Sequence, residues 1–202
     1  MMRTGRPRQF DRDDAVRQAM HLFWEQGYEA TSLAQLKAAI GRGITAPSFY
    51  AAFGSKAALF LETISCYMNS HGRVNDVLWD DALPPRQAIE TALRQSVKMQ
   101  FGSDHPKGCM VALGVMSACA TLHQPLLQPL QDARRRTRNG FKRCIERGVQ
   151  RGELSPETDI NALTALFDSF LLGVSTLVRD GVNFAAVDGA TSAILKHWDY
   201  AA

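Results

Sequence analysis

Two groups of residues in this sequence have types and spacing that suit chemistry. Between Gly43 and Lys56, Thr45, Ala46, Ser48 and Tyr50 fall on what would be the outward side of a very short helix. Hydroxyls bond phosphates or base edges, and small residues in a first helical turn allow close approach to a nucleic acid duplex. The second group is Cys109, which follows Lys107 and Gly108 where a helix should begin. Free amides and a nearby cation lower a thiol pKa, so Cys109 reads as a nucleophile toward oxidants or electrophiles, or as a small apolar residue packed below the loop.

Other chemistries find less support. A thiol enzyme built on Cys109 would need a base such as His105 or His123 beside the sulfur, and the spacing gives no reason to expect either. His71, His105 and His123 show no paired-histidine spacing, and Cys66, Cys109, Cys119 and Cys144 form no CxxC pair, so no metal site is expected. No Gly-rich phosphate loop, dinucleotide turn or nucleophile elbow is present. The separated cysteines fit a reducing cytoplasm. The basic N-terminus is not followed by the apolar stretch of a secretory signal, and no run of about 18 apolar residues suggests a membrane span.

Charge is distributed unevenly. Residues 1–60 hold eight Lys and Arg against five Asp and Glu, whereas the rest of the chain holds fifteen of each sign. All the surplus positive charge therefore lies where a phosphate-facing module would need it. Arg3, Arg6 and Arg8 sit in a helix-averse arm that suits the minor groove or the backbone. The basic run from Arg134 to Arg151 reads as a solvated helix face.

Apolar residues recur at three- and four-residue spacing nearly throughout, which predicts an all-α protein. Asp11 caps the first helix, with Val16, Met20, Phe23 and Trp24 inward and Gly27 as its stop. A short helix follows Ser32, Gly41-Arg42-Gly43 breaks it, and Thr45 caps another that runs to Phe53 with Pro47 in its first turn. A fourth helix runs from Lys56 to His71, and one begins at Pro84-Pro85. An apolar helix follows over 109–122 and a longer one with a basic face from Pro125, and Ser155-Pro156-Glu157 restarts the chain for the last two, over 157–180 and 184–199. This predicts two domains, a head over 1–60 and a body over 61–202.

Three short helices, the last two joined by a glycine turn, are what a helix-turn-helix requires. The run from Gly43 to Lys56, with Ile44, Thr45, the Phe49-Tyr50 pair, Phe53 and Gly54-Ser55-Lys56, resembles the recognition segment of the TetR family of bacterial transcriptional regulators. Ala19 to Ser32, with Phe23, Gly27-Tyr28 and Thr31-Ser32, resembles the first helix of the same family. The resemblance implies that Thr31, Thr45, Tyr50 and Lys56 meet phosphates and that Ala46, Pro47 and Ser48 lie near base edges. The turn from Leu36 to Ile44 is longer than the family's usual one, with Arg42 as an added phosphate contact.

The resemblance also implies a homodimer on a palindromic operator of double-stranded DNA, with the last two helices paired across a two-fold axis. The apolar stripe of Phe170, Leu171, Val174 and Leu177, continued by Val187, Ile194 and Trp198, suits that role. A small-molecule effector is expected in the body, with Phe101, Cys109, Met110, Leu113, Met116 and Phe167 as candidate lining residues. No cofactor is expected, and the expected function is a regulator, by family habit a repressor, rather than an enzyme.

Overall fold

The computed structural model describes residues 11–116 and 124–201, and the side chains of Arg42, Val115, Met116 and Gln124 lie outside that description. Arg3, Arg6, Arg8, Cys119 and His123 therefore fall outside it as well. Among the described residues the regular structure is helical throughout, as the periodicity predicts.

Local capping starts the helices of the head. In α1 (Arg12–Ala30) the Asp11 carboxylate accepts from the Asp14 N–H at 2.9 Å, and the helix breaks at Gly27, whose φ of 79° suits glycine. In α2 (Leu33–Ala39) Ser32 and Gln35 form a reciprocal capping box. The next turn is a 3-10 turn over Ile40–Arg42. Gly41 and Gly43 both take positive φ there, and the Ile44 N–H returns to the Lys37 carbonyl at 2.9 Å. Thr45 caps α3 (Ala46–Phe53) and Ser55 caps α4 (Lys56–Met68).

The body follows. Helix α4 ends at Met68 rather than His71, because residues His71–Trp79 wind as 3-10 structure. Then come α5 (Pro85–Gln100), α6 (Met110–Met116), α7 (Gln124–Gln150), α8 (Ile160–Arg179) and α9 (Phe184–Tyr200). Ser155-Pro156-Glu157, expected to start a helix, forms a turn instead. The cap is Asp159, which accepts from the Ala162 N–H at 2.9 Å.

Burial joins these elements without a gap at residue 60. One apolar cluster packs Phe23, Leu36, Phe49, Phe53 and Phe60 of the head with Met110 of α6 and Leu130 of α7. A second packs α5, α7, α8 and α9 around Phe141, Phe167 and Trp198. Each such ring removed from water stabilises the fold by roughly 1.5–3 kcal/mol.

Helix α8 is long and apolar enough, by length and composition, to cross a membrane, although no contiguous apolar run suggested it. In the fold it serves as a core helix. Leu163, Phe167 and Val174 are buried along it, and among them Asp168 accepts a hydrogen bond from Arg138 at 2.7 Å.

Candidate functional site

Helix α3 separates two faces cleanly. Phe49 and Phe53 are buried in the head, which leaves Pro47, Ser48 and Tyr50 exposed and Ala46 half-buried on the other side. The Thr45 hydroxyl lies 2.9 Å from the Ser48 hydroxyl and accepts from the Ser48 N–H at 3.4 Å, which fixes the first turn. The Lys56 ammonium stands over the Tyr28 ring, 4.3 Å from its centre, and burial pushes its pKa down.

The other basic groups of the head differ in how free they are. Arg12 is held by Glu62 at 2.7 Å and Arg17 by Asp14 at 3.2 Å, whereas Lys37 and Lys56 hold no carboxylate among the described residues. Thr31 departs from its expected place on a phosphate. It is fully buried and its hydroxyl donates to the Gly27 carbonyl at 2.7 Å, so it braces the break in α1.

Behind the head lies a joint of aromatic and imidazole rings drawn from three parts of the chain. Trp24 of α1 stacks on His105 with centres 4.6 Å apart and meets Tyr67 and His71 edge-on at 4.9 and 5.2 Å. His21 meets Trp24 edge-on at 6.4 Å. Burial, and secondarily the His105 charge, holds the pKa of His21 and His71 below the ordinary imidazole value. From the end of α8, Arg179 donates to the carbonyls of Trp24 at 2.8 Å, Glu25 at 3.0 Å and Lys107 at 3.2 Å, which pins the body to α1. None of these partners was legible in the sequence, because they come together only in three dimensions.

Under the joint is a small cavity of about 40 Å³. It is lined by Tyr67 and Met68 of α4, Met99 and Gln100 of α5, Cys109, and residues of α6, α7 and α8. The Tyr67 hydroxyl donates to the Cys109 sulfur at 3.2 Å, and burial raises the Tyr67 pKa well above the ordinary phenol value. His105, one base a thiol enzyme would need, stacks on Trp24, and its Nδ1 lies 2.8 Å from the Pro106 carbonyl. Cys144 is buried, its thiol donates to the Leu78 carbonyl at 3.3 Å, and burial pushes its pKa to about 11.

Of the lining residues expected from sequence, the cavity includes Cys109. Met110 packs into the upper cluster and Phe167 into the lower one against Phe141. Phe101 meets Phe184 edge-on at 5.4 Å, and Leu113 packs against Gly108, where an added Cβ would lie 2.8 Å from its Cδ1. The Met116 side chain is outside the described residues. The sequence reading missed Met68, Met99, Gln100, Arg134 and Asp168, since each looks like ordinary core or surface in its own helix.

The residues of the expected dimer stripe divide between the interior and the surface. Leu171, Val174, Val187, Ile194 and Trp198 face the interior of their own chain, Phe170 is half-buried, and Leu177 is exposed. The exposed faces carry other, smaller residues: Ala162, Ala165, Ser169, Gly173 and Thr176 on α8, and Ala186, Gly189 and Ala193 on α9. A Cβ added at Gly173 or Gly189 would meet nothing within 4 Å.

Comparison with known proteins agrees with this arrangement. The model of bacterial regulatory proteins of the tetR family matches residues 15–63, and that of the tetracyclin repressor-like C-terminal domain matches residues 85–193. Over 201 residues the chain is 29% identical to the HTH-type transcriptional repressor ComR of Escherichia coli (strain K12), covering 96% of this chain and 91% of that protein. It is 35% identical to the HTH-type transcriptional repressor BdcR of the same organism over 114 residues, 56% of each chain. Among solved structures, a cysteine mutant of the TetR family transcriptional regulator CifR complexed with double-strand operator DNA is similar. That match has a TM-score of 0.84 and 35% identity, and it covers 96% of this chain and 100% of that one. The reduced form of E. coli NemR shares the fold at a TM-score of 0.72 and 17% identity, over 91% and 94% of the two chains. The chain is a DNA-binding transcriptional regulator and belongs to the TetR family.

Proposed function

We propose that the protein is a homodimeric, cytoplasmic repressor that binds a palindromic operator and releases it when an effector enters the body. The observation that carries this reading is the outer face of α3. It presents hydroxyls and small residues without a carboxylate, on a helix whose other face is locked by Phe49 and Phe53. Thr45, Tyr50 and Lys56, with Arg42 from the preceding turn, hold phosphates, while Ala46, Pro47 and Ser48 approach base edges. Arg3, Arg6 and Arg8 follow the adjacent groove. The solved complex of the similar regulator CifR with operator DNA supports DNA as the partner of the head.

The division of labour follows a head over 1–60 and a body over 61–202. The small residues exposed on α8 and α9, with exposed Leu177 beside them, suit close packing against a second copy, and a palindromic site needs two heads. The effector takes the cavity beside Cys109. Because the cavity is small, an entering molecule must push its walls apart, and one wall is Tyr67 and Met68 of α4, the helix that joins head and body. An effector that binds the opened state more tightly lowers DNA affinity by the same factor, by linkage. An electrophile that enters meets the Cys109 sulfur.

The test is a fluorescence titration at fixed salt against the DNA immediately upstream of the protein's own coding region, followed by selection from random sequence. Tight, salt-sensitive binding that is lost in Tyr50→Ala/Lys56→Ala supports the reading. Failure to select any sequence overturns it. Sedimentation of Gly173→Arg checks the pairing face, with a shift from dimer to monomer expected.

A further inference from the structure

Helix α7 carries six arginines, and five of them are committed. Arg135 pairs with Asp132, Arg136 with Asp76 at 2.8 Å, Arg138 with Asp168 at 2.7 Å, and both Arg143 and Arg147 with Asp81. Arg134 holds no carboxylate among the described residues. Residues 1–10 and 117–123 contain no Asp or Glu to supply one. Arg134 is also half-buried, and it lines the cavity beside Cys109.

The polar groups around it favour a negative occupant. The Asn75 carbonyl oxygen accepts from the Ser96 hydroxyl at 2.9 Å and the Gln100 carbonyl oxygen from the Ser175 hydroxyl at 2.7 Å, which leaves both amide N–H₂ groups as donors. Thr137, one turn beyond Arg134, adds a hydroxyl. Asp168 is the acidic lining residue, and its charge is offset by Arg138. The cavity therefore has one uncompensated cation and an excess of donors above walls formed by Met68, Met99, Val111 and Leu171. A guanidinium matches a planar carboxylate with two parallel hydrogen bonds, and methionines adapt to an apolar body.

We infer that the effector class is an amphipathic monocarboxylate, its carboxylate on Arg134 and its apolar body among the methionine walls. This rests on the cavity being the effector site. The experiment compares octanoate, 1-octanol and octylamine at constant ionic strength, with the full-length dimer on selected operator DNA. Calorimetry reads binding and fluorescence reads DNA release. Octanoate should bind and release DNA at concentrations at least tenfold below the alcohol and the amine. Arg134→Met should weaken octanoate about tenfold to a hundredfold, the loss of a charged hydrogen-bonded pair. Arg134→Lys should restore part of that. Binding of 1-octanol to Arg134→Met at wild-type strength reports an intact cavity. If the alcohol or amine matches octanoate, or if Arg134→Met leaves octanoate affinity unchanged, the carboxylate class is overturned while the effector cavity stands. If none of the three probes binds, both are overturned.

Discussion

The interior of the head is mostly apolar, whereas the cavity of the body combines apolar walls with buried polar groups. In the head, Phe23, Leu36, Phe49, Phe53 and Phe60 fill the interior, and the hydroxyls of α3 point outward. In the body, Ser96, Gln100 and Asp168 are buried against the cavity, and Ser175 is bonded to Gln100. An object that must read a rigid polyanion is best made stiff, with its chemistry on display. A site that must admit a guest and respond to it needs unspent polar groups and movable walls. On the proposed function, the contrast makes the head a reader and the cavity a switch. Ring contacts from Trp24 to His105 and backbone bonds from Arg179 connect the two.

The largest expected effect tests the stiffness of the head. Phe49→Ala removes a fully buried ring and should cost about 3–5 kcal/mol in a urea melt, enough to abolish DNA binding. Met99→Ala, at the wall of a cavity that already exists, should cost about 2 kcal/mol or less, near the low end for such truncations. Equal losses at the two positions would break the comparison, because they would mean that the cavity wall is packed as tightly as the head.

These regions also differ in how far their sequence could be read. Asp11, Ser32, Thr45 and Ser55 each cap a helix through an N–H three residues on, so the head's elements were legible from neighbours in the chain. The cavity draws on α4 through α8 and the 3-10 stretch after α4, and no local pattern distinguishes Arg134 from Arg135 beside it. The dimer stripe was hard to read for a related reason. Helix α8 is apolar on one side and small and uncharged on the other, and periodicity cannot say which side meets a partner. Leu163, Phe167 and Val174 turned inward, while Leu177 and the small residues Ala162, Ala165 and Gly173 stayed exposed.

An intermediate effect tests whether the buried polar groups of the body matter to its fold. Asp168→Ala leaves Arg138 without its partner. Since Arg138 is half exposed, the loss should be about 1–3 kcal/mol rather than that of a fully buried pair. Asp168→Asn, which keeps a hydrogen-bond acceptor, should recover part of it. Thermal melting of the two variants sharpens the comparison by separating charge from packing.

Arg179 tests the connection itself. Arg179→Met removes hydrogen bonds to Trp24, Glu25 and Lys107 carbonyls at a partly exposed site, and should lower stability by about 1–2 kcal/mol. Its more telling readout is coupling, measured as the ratio of DNA affinities with and without octanoate. Here the ratio should shrink toward one while octanoate binding itself persists. A ratio equal to that of the unmodified protein would mean that head and cavity communicate by a route other than this clamp.

The smallest effect is the pH dependence of the joint. The pKa values of His21 and His71 are lowered first by burial and then by the His105 charge, against a raising contribution from Asp104. Both folded-state values lie below the ordinary 6.5, so the unfolded chain binds more protons near that pH. Stability from these groups is therefore fully present above about pH 6.5. It declines as the pH falls through that value, and levels off below the folded-state pKa. Both rings are partly exposed, and solvent screening limits the loss to about 1 kcal/mol or less. Melting curves between pH 7.5 and 5 (roughly the range over which an imidazole charges) should show the decline in the unmodified protein. His21→Gln/His71→Gln should flatten it, while the Trp24–His105 stack remains. A slope unchanged by the double substitution would assign the titration to groups outside the joint and leave Arg179 as the better account of how head and cavity are held together.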